Sequence, residues 1–275
     1  MILRVCVTVF ALAAAALPGA QASAEEPGAA RLLALLGLPD VVAVMREEGR
    51  AYGAELAGEM LPGGPSGNWD TTVARIYDPD RMADTVRERF LDEMAGVDPA
   101  PLVAFFETEA AQRLVAHEVA ARRAMIDDAV EAAAREAYLA RAQDPDATFR
   151  LVRAFVRVND LVESNVAGAL NSNFAFYRGL ADGGALEMGE SEMLAEVWAQ
   201  EEATRADTRD WLYGFLLTAY DPVPEAVLER YVELSETEAG RAMNRALFAG
   251  FDRMYAEISY ALGLALAREM QATDL

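Results

Sequence analysis

His117 is the only histidine of the 275-residue chain, and Glu118 follows it. A His-Glu step on a helix suggests the zinc-hydrolase pattern, in which a second imidazole four residues on completes the metal face. Position 121 is Ala, so that pattern fails, and with one imidazole in the chain any histidine-dependent reaction would rest on His117 alone. The plainer reading is a partly exposed helix histidine. Three acidic doublets, Glu47-Glu48, Asp127-Asp128 and Glu201-Glu202, offer carboxylates for acid–base work or calcium. Neighbouring side chains on a helix diverge by about 100°, so no doublet is itself a ligand pair. Asp78-Pro79-Asp80 with Asp84 lacks the glycine and terminal glutamate of a calcium loop. Gly63-Gly64 and Gly183-Gly184 sit in no phosphate-binding pattern, and no GxSxG is present. No stretch therefore places reactive groups at a spacing that a known chemistry requires. No catalytic, cofactor-binding or metal-ligating residue is assigned.

Polar residues inside apolar patterns are the remaining candidates. Asn159, Asn165, Asn171, Ser172 and Asn173 lie in a helical run, and Asn173 shares a face with Val162, Val166 and Phe174. It should be buried, reaching either into a pocket or across to a neighbouring helix.

These residues belong to an all-α chain whose elements recur. Asp98-Pro-Ala-Pro101 precedes Glu107-Thr-Glu-Ala-Ala111, and Asp221-Pro-Val-Pro224 precedes Glu236-Thr-Glu-Ala-Gly240. In each, Asp-Pro reads as a helix start, and Thr108 or Thr237 reads as the N-cap of a second, longer helix. A third pair, the apolar runs ending at Asp40 and Asp160, keeps the same order; the offsets are 120, 123 and 129 residues. A period this long excludes short solenoid repeats and predicts two related multi-helix units packed together, 25–143 and 144–275. Asp144-Pro145 is the expected boundary, breaking one helix and capping the next.

Element by element, the pattern predicts helices over 29–36, from a cap at Asp40 to about Met60, over 69–77, from Asp78 to about Ala95, and from Glu109 to about Ala140. The second unit should hold helices at 146–158 and 160–181, then one capped by Ser191 and kinked around 203–207. The last helix, from Glu238 to about Met270, should be central. Met243, Leu247, Met254 and Ile258 form one apolar stripe and Phe248, Phe251, Tyr255 and Leu262 another, together covering most of its circumference. Asp252, Arg253 and Glu257 leave too short an uncharged run to cross a bilayer.

The N-terminus reads as a targeting segment. Arg4 precedes an apolar run from Val5 to Leu17, and small residues lead to Ala24, the layout of a signal peptide spanning 1–24. Cleavage there would remove Cys6, the only cysteine, so the exported protein would have neither disulfide nor thiolate metal site. It would also take away Arg4 and no acid, leaving 23 arginines, no lysine and 45 acids. That balance disfavours nucleic acid and anionic head groups as partners, and most of it reads as solvated helix faces.

At its repeated junction the chain resembles the bacterial envelope proteins grouped as domain of unknown function 2059, marked by an aromatic pair before Ser-Pro-x-Gly. Phe105-Phe106-Glu107-Thr108-Glu109-Ala110-Ala111 and Leu234-Ser235-Glu236-Thr237-Glu238-Ala239-Gly240 look like degenerate versions. Glu replaces the proline in both, the aromatic pair is missing from the second, and the glycine survives only as Gly240. The resemblance implies a periplasmic or secreted helical protein and carries over no catalytic residue. The expected function is a non-enzymatic binding module for a protein segment or an apolar small molecule. The alternative is an envelope hydrolase using carboxylates or His117.

Overall fold

The computed structural model describes residues 28–61 and 63–273, so the segment read as a signal peptide lies outside the described residues. The fold is all-α. Its helices are α1 (Gly28–Leu35), α2 (Leu38–Met60), α3 (Trp69–Ile76), α4 (Pro79–Glu93), α5 (Ala100–Phe106), α6 (Glu109–Ala124) and α7 (Asp128–Arg141), followed by α8 (Ala147–Val158), α9 (Leu161–Asp182), α10 (Glu190–Ala199), α11 (Glu201–Tyr220), α12 (Glu225–Glu236) and α13 (Glu238–Thr273). No strand occurs among the described residues.

Local chemistry explains most boundaries. Asp78 accepts from the Arg81 N–H and starts α4, with Pro79 at the first helical position. Thr108 and Thr237 make the same cap twice. The hydroxyl of Thr108 accepts from Ala111 N–H at 3.2 Å and donates to Phe105 C=O at 2.8 Å; that of Thr237 accepts from Gly240 N–H at 3.0 Å and donates to Leu234 C=O at 2.6 Å. Gly240 stands at the position that Ala111 holds in the Thr108 cap, and a Cβ there would lie 2.0 Å from Leu234 O.

Other boundaries differ from expectation, each for a local reason. The run from Glu109 is broken, since Asp127 accepts from Ala129 and Val130 N–H groups and starts α7 anew. Asp146, not Asp144, caps α8. The α2 helix begins before Asp40, because Gly37 turns left-handed (φ 71°) and Pro39 follows; Asp40 lies in its first turn. Gly189, not Ser191, caps α10, with the Glu192 carboxylate accepting from its N–H at 2.7 Å. The expected kink at 203–207 is instead a break at Gln200. Asp221 ends α11 and binds Arg141 through both carboxylate oxygens instead of opening α12.

Packing follows a regular scheme. α1 lies against α5 as α8 lies against α12, and α2 against α3, α4 and α6 as α9 against α10, α11 and α13. Across the two sets, α4 packs on α13 while α6 packs on α11. Advancing every label in the first set by seven reproduces the second, and the two cross-contacts exchange. α7 stands outside the scheme, packed on α11. One continuous core runs from Leu32 to Ala267 through both sets.

α13 is the axis of this core. Met243, Leu247, Phe251, Met254, Ile258, Leu262 and Leu266 are all buried, and the exposed positions of the helix include Arg241, Arg245, Arg253 and Arg268. α9 crosses it at glycine: a Cβ on Gly179 would meet Tyr260 O at 2.2 Å, and one on Gly263 would meet Phe176 O at 2.3 Å. Backbone meets backbone there. No single helix among the described residues is long and apolar enough to cross a membrane; the bent pair α1–α2 passes by length and composition only, and its Leu32, Leu33, Val41 and Met45 are in the core.

Candidate functional site

A cavity of about 380 Å³ opens where α2, the end of α3, the α6–α7 turn, α9, α11 and α13 converge. Arg122 is its innermost charge. α6 buries the stripe Ala111, Leu114, Val115, Glu118, Val119 and Arg122, so the helix period itself turns two ionisable side chains inward. Four residues apart, they are spaced to pair along the helix, yet each takes a distant partner. Arg122 Nε donates to Glu48 Oε1 and Nη2 to Glu48 Oε2, both at 2.8 Å, and Nη2 also reaches Tyr255 Oη at 3.2 Å. The guanidinium is 2% exposed. Burial alone would lower its pKa, but the facing Glu48 carboxylate and the Tyr255 hydroxyl outweigh this and hold it above the ordinary value, so it stays charged.

Two further tyrosines face the cavity. Burial, then the neighbouring Tyr255, Tyr52 and Glu48, pushes the Tyr77 phenol well above its usual range; burial, then Glu55 and Glu59, does the same to Tyr52. Both remain hydroxyls at neutral pH. The Tyr52 oxygen is buried and has no hydrogen-bond partner among the described residues. Tyr77 can lie flat on α2 only because residue 49 is glycine, where a Cβ would come within 2.1 Å of the ring.

Apolar side chains complete the walls: Met45, Met125, Ile126, Phe176, Trp211 and Leu262. Trp211 is fixed by stacking on Phe215 with centroids 5.1 Å apart. Glu55 and Asp128, both exposed, mark the side that meets solvent, with Glu131 beside them.

The residues singled out in the sequence are dispersed. His117 is half-buried on α6 and does not line the cavity. Its neighbour Glu118 is fully buried elsewhere, accepting from Tyr220 Oη at 2.5 Å; burial raises its pKa well above the usual carboxylate range, against the smaller opposing pull of the Tyr220 bond. Of the doublets, Glu48 reaches Arg122, Asp127 caps α7, and Glu201 pairs with Arg205. Asn173 is buried and donates to Gln200 at the α10–α11 break, 3.5 Å away, and Asn159 and Asn165 donate back to their own helices. No group of three or more metal-ligating side chains occurs among the described residues. The cavity tyrosines and Arg122 were not foreseen, although a charge at each of two buried-stripe positions of α6 was a signal for the second.

No family model, curated protein or solved structure matches this chain.

Proposed function

We propose that this protein is an exported binding module that takes an apolar small molecule into the cavity above Arg122. The observation that supports it is the cavity itself: about 380 Å³ of space left within an otherwise continuous core. That volume lies in the range of small-molecule pockets, and a mostly apolar wall with few convergent polar groups is the usual composition of such sites. The polar groups here are the tyrosines, the paired Glu48 and Arg122, and the carboxylates Glu55, Asp128 and Glu131. Tyr52 and Tyr77 keep their protons to high pH, so they do not shuttle protons near neutrality.

Intrinsic fluorescence tests the reading directly, because Trp211 lines the cavity. With the exposed Trp198 replaced by Phe, Trp211 and the buried Trp69, which does not line the cavity, remain; titration with n-octanol should change the emission saturably, and Leu262→Phe, which narrows the space, should abolish the change while the helical circular dichroism persists. Failure of octanol to bind would defeat the proposal. Assays against ester and glycoside substrates belong beside it, since turnover abolished by Glu55→Gln or Asp128→Asn would favour the hydrolase instead. Export carries its own test: protein recovered from the periplasm should have the mass of residues 25–275.

The same reading takes 25–143 and 144–275 as copies of one unit. It is supported by the duplicated threonine cap, by the left-handed residues Gly37 and Asp160 before α2 and α9, and by the repeated packing scheme.

A further inference from the structure

We infer that the cavity selects a cationic apolar ligand, an alkyl or aryl amine, over neutral or anionic ones of the same shape. The inference rests on the binding reading above and adds the charge of the occupant. Five ionisable side chains other than tyrosine line the space, and their partners divide them. Arg122 is engaged by both oxygens of Glu48, so an incoming anion would have to displace a two-point, charge-assisted contact made in a buried setting. Glu131 is bound by Arg135 Nε at 2.8 Å, and Arg135 is shared with Asp207. Glu55 and Asp128 remain. They come from different helices, α2 and α7, border one opening, and form no ion pair among the described residues.

Aromatic rings share the lining with these carboxylates. Trp211 and Tyr52 line the same space, and aromatic faces attract an ammonium. The lining thus pairs exposed acids with a buried aliphatic and aromatic wall of Met45, Met125, Phe176 and Leu262, the two halves of an amine with an apolar body. The long-range field agrees, since 45 acids against 24 basic residues attract cations and repel anions.

The test uses three probes with one tail: n-octylamine, n-octanol and octanoate, titrated at pH 7 into the Trp198→Phe protein by fluorescence and calorimetry. Octylamine should bind about tenfold more tightly than octanol, as two partly exposed ion pairs and one aromatic contact together provide, and octanoate more weakly than either. The double variant Glu55→Gln, Asp128→Asn should bring octylamine down to the octanol affinity and leave octanol unchanged, which also reports that the cavity is intact. Raised salt should weaken octylamine alone. Equal binding of all three probes, or octanoate binding best, overturns the charge assignment while the binding reading stands. No binding of any probe overturns both.

Discussion

Asp252 shows how burial sets the acid–base behaviour of this protein. Its Oδ1 is buried with no hydrogen-bond partner among the described residues, and burial raises its pKa to about 6. A carboxyl whose folded pKa exceeds its unfolded one contributes stability that is fully present below the unfolded value, near 3.8, and is lost as pH rises through about 6. The two-unit gap corresponds to about 2–3 kcal/mol. Replacing Asp252 by Asn should therefore raise stability relative to the parent at pH 7.5 and change it little at pH 3.5, measured as the difference between urea midpoints; an equal effect at both pH values would contradict this. Glu118 has the same sign, burial raising its pKa well above the usual carboxylate range. Glu48 offsets a buried cation, Arg122. Glu48→Gln should cost about 3 kcal/mol in urea unfolding, since it leaves the Arg122 guanidinium without its counter-charge, whereas the paired change Glu48→Leu, Arg122→Met should cost less.

Among the elements, α13 and α9 are the pair on which the rest is assembled, and small residues govern their approach. At Gly263 the nearest atoms to an added Cβ are Phe176 O at 2.3 Å, Leu180 N at 3.0 Å and Gly179 Cα at 3.2 Å. All are backbone, so no rotamer change can make room, and the helices must separate. Gly263→Ala should cost about 3 kcal/mol or more, and Gly263→Val should prevent folding. Gly58, on α2 with nothing within 4 Å of the added atom, is the control: Gly58→Ala should be neutral or stabilising by up to about 1 kcal/mol through helix propensity. Thermal melts of the three variants decide the matter, and a mild effect at Gly263 would mean that the crossing is looser than described.

The whole molecule should unfold as one cooperative body, because helices of its first half pack on helices of its second, α4 on α13 and α6 on α11. α4 buries Met82, Val86 and Phe90 and packs on α13, and α6 packs on α11, so each half supplies apolar surface that the other covers. A chain ending at residue 143 would expose the α4 face that α13 covers and the α6 face that α11 covers. Such a fragment should show reduced helicity and no cooperative melt, while co-expressed 25–143 and 144–275 should associate and recover one. Independent cooperative folding of either fragment would argue against exchanged packing.

Much of this was legible in the chain because it depends on neighbours in sequence. Helix periodicity, the capping groups Asp78, Thr108 and Thr237, the glycine-rich break after α2 and the nearly all-round apolar character of α13 are local, and they yield an all-α fold with a buried final helix. Where local signals competed, as at Asp127 against a continuing apolar pattern or Asp144 against Asp146, the side chain that reached the free N–H groups decided the boundary. The cavity was not legible. Its groups come from α2, α6, α7, α11 and α13, as far apart as Glu48 and Tyr255, and no spacing within a helix records which residues another helix brings opposite. Glu118 and Arg122 make the distinction plain: the helix period dictated that both turn inward, but only the tertiary packing assigned one to Tyr220 and the other to Glu48, since a buried charge takes whichever partner the neighbouring helices place within reach.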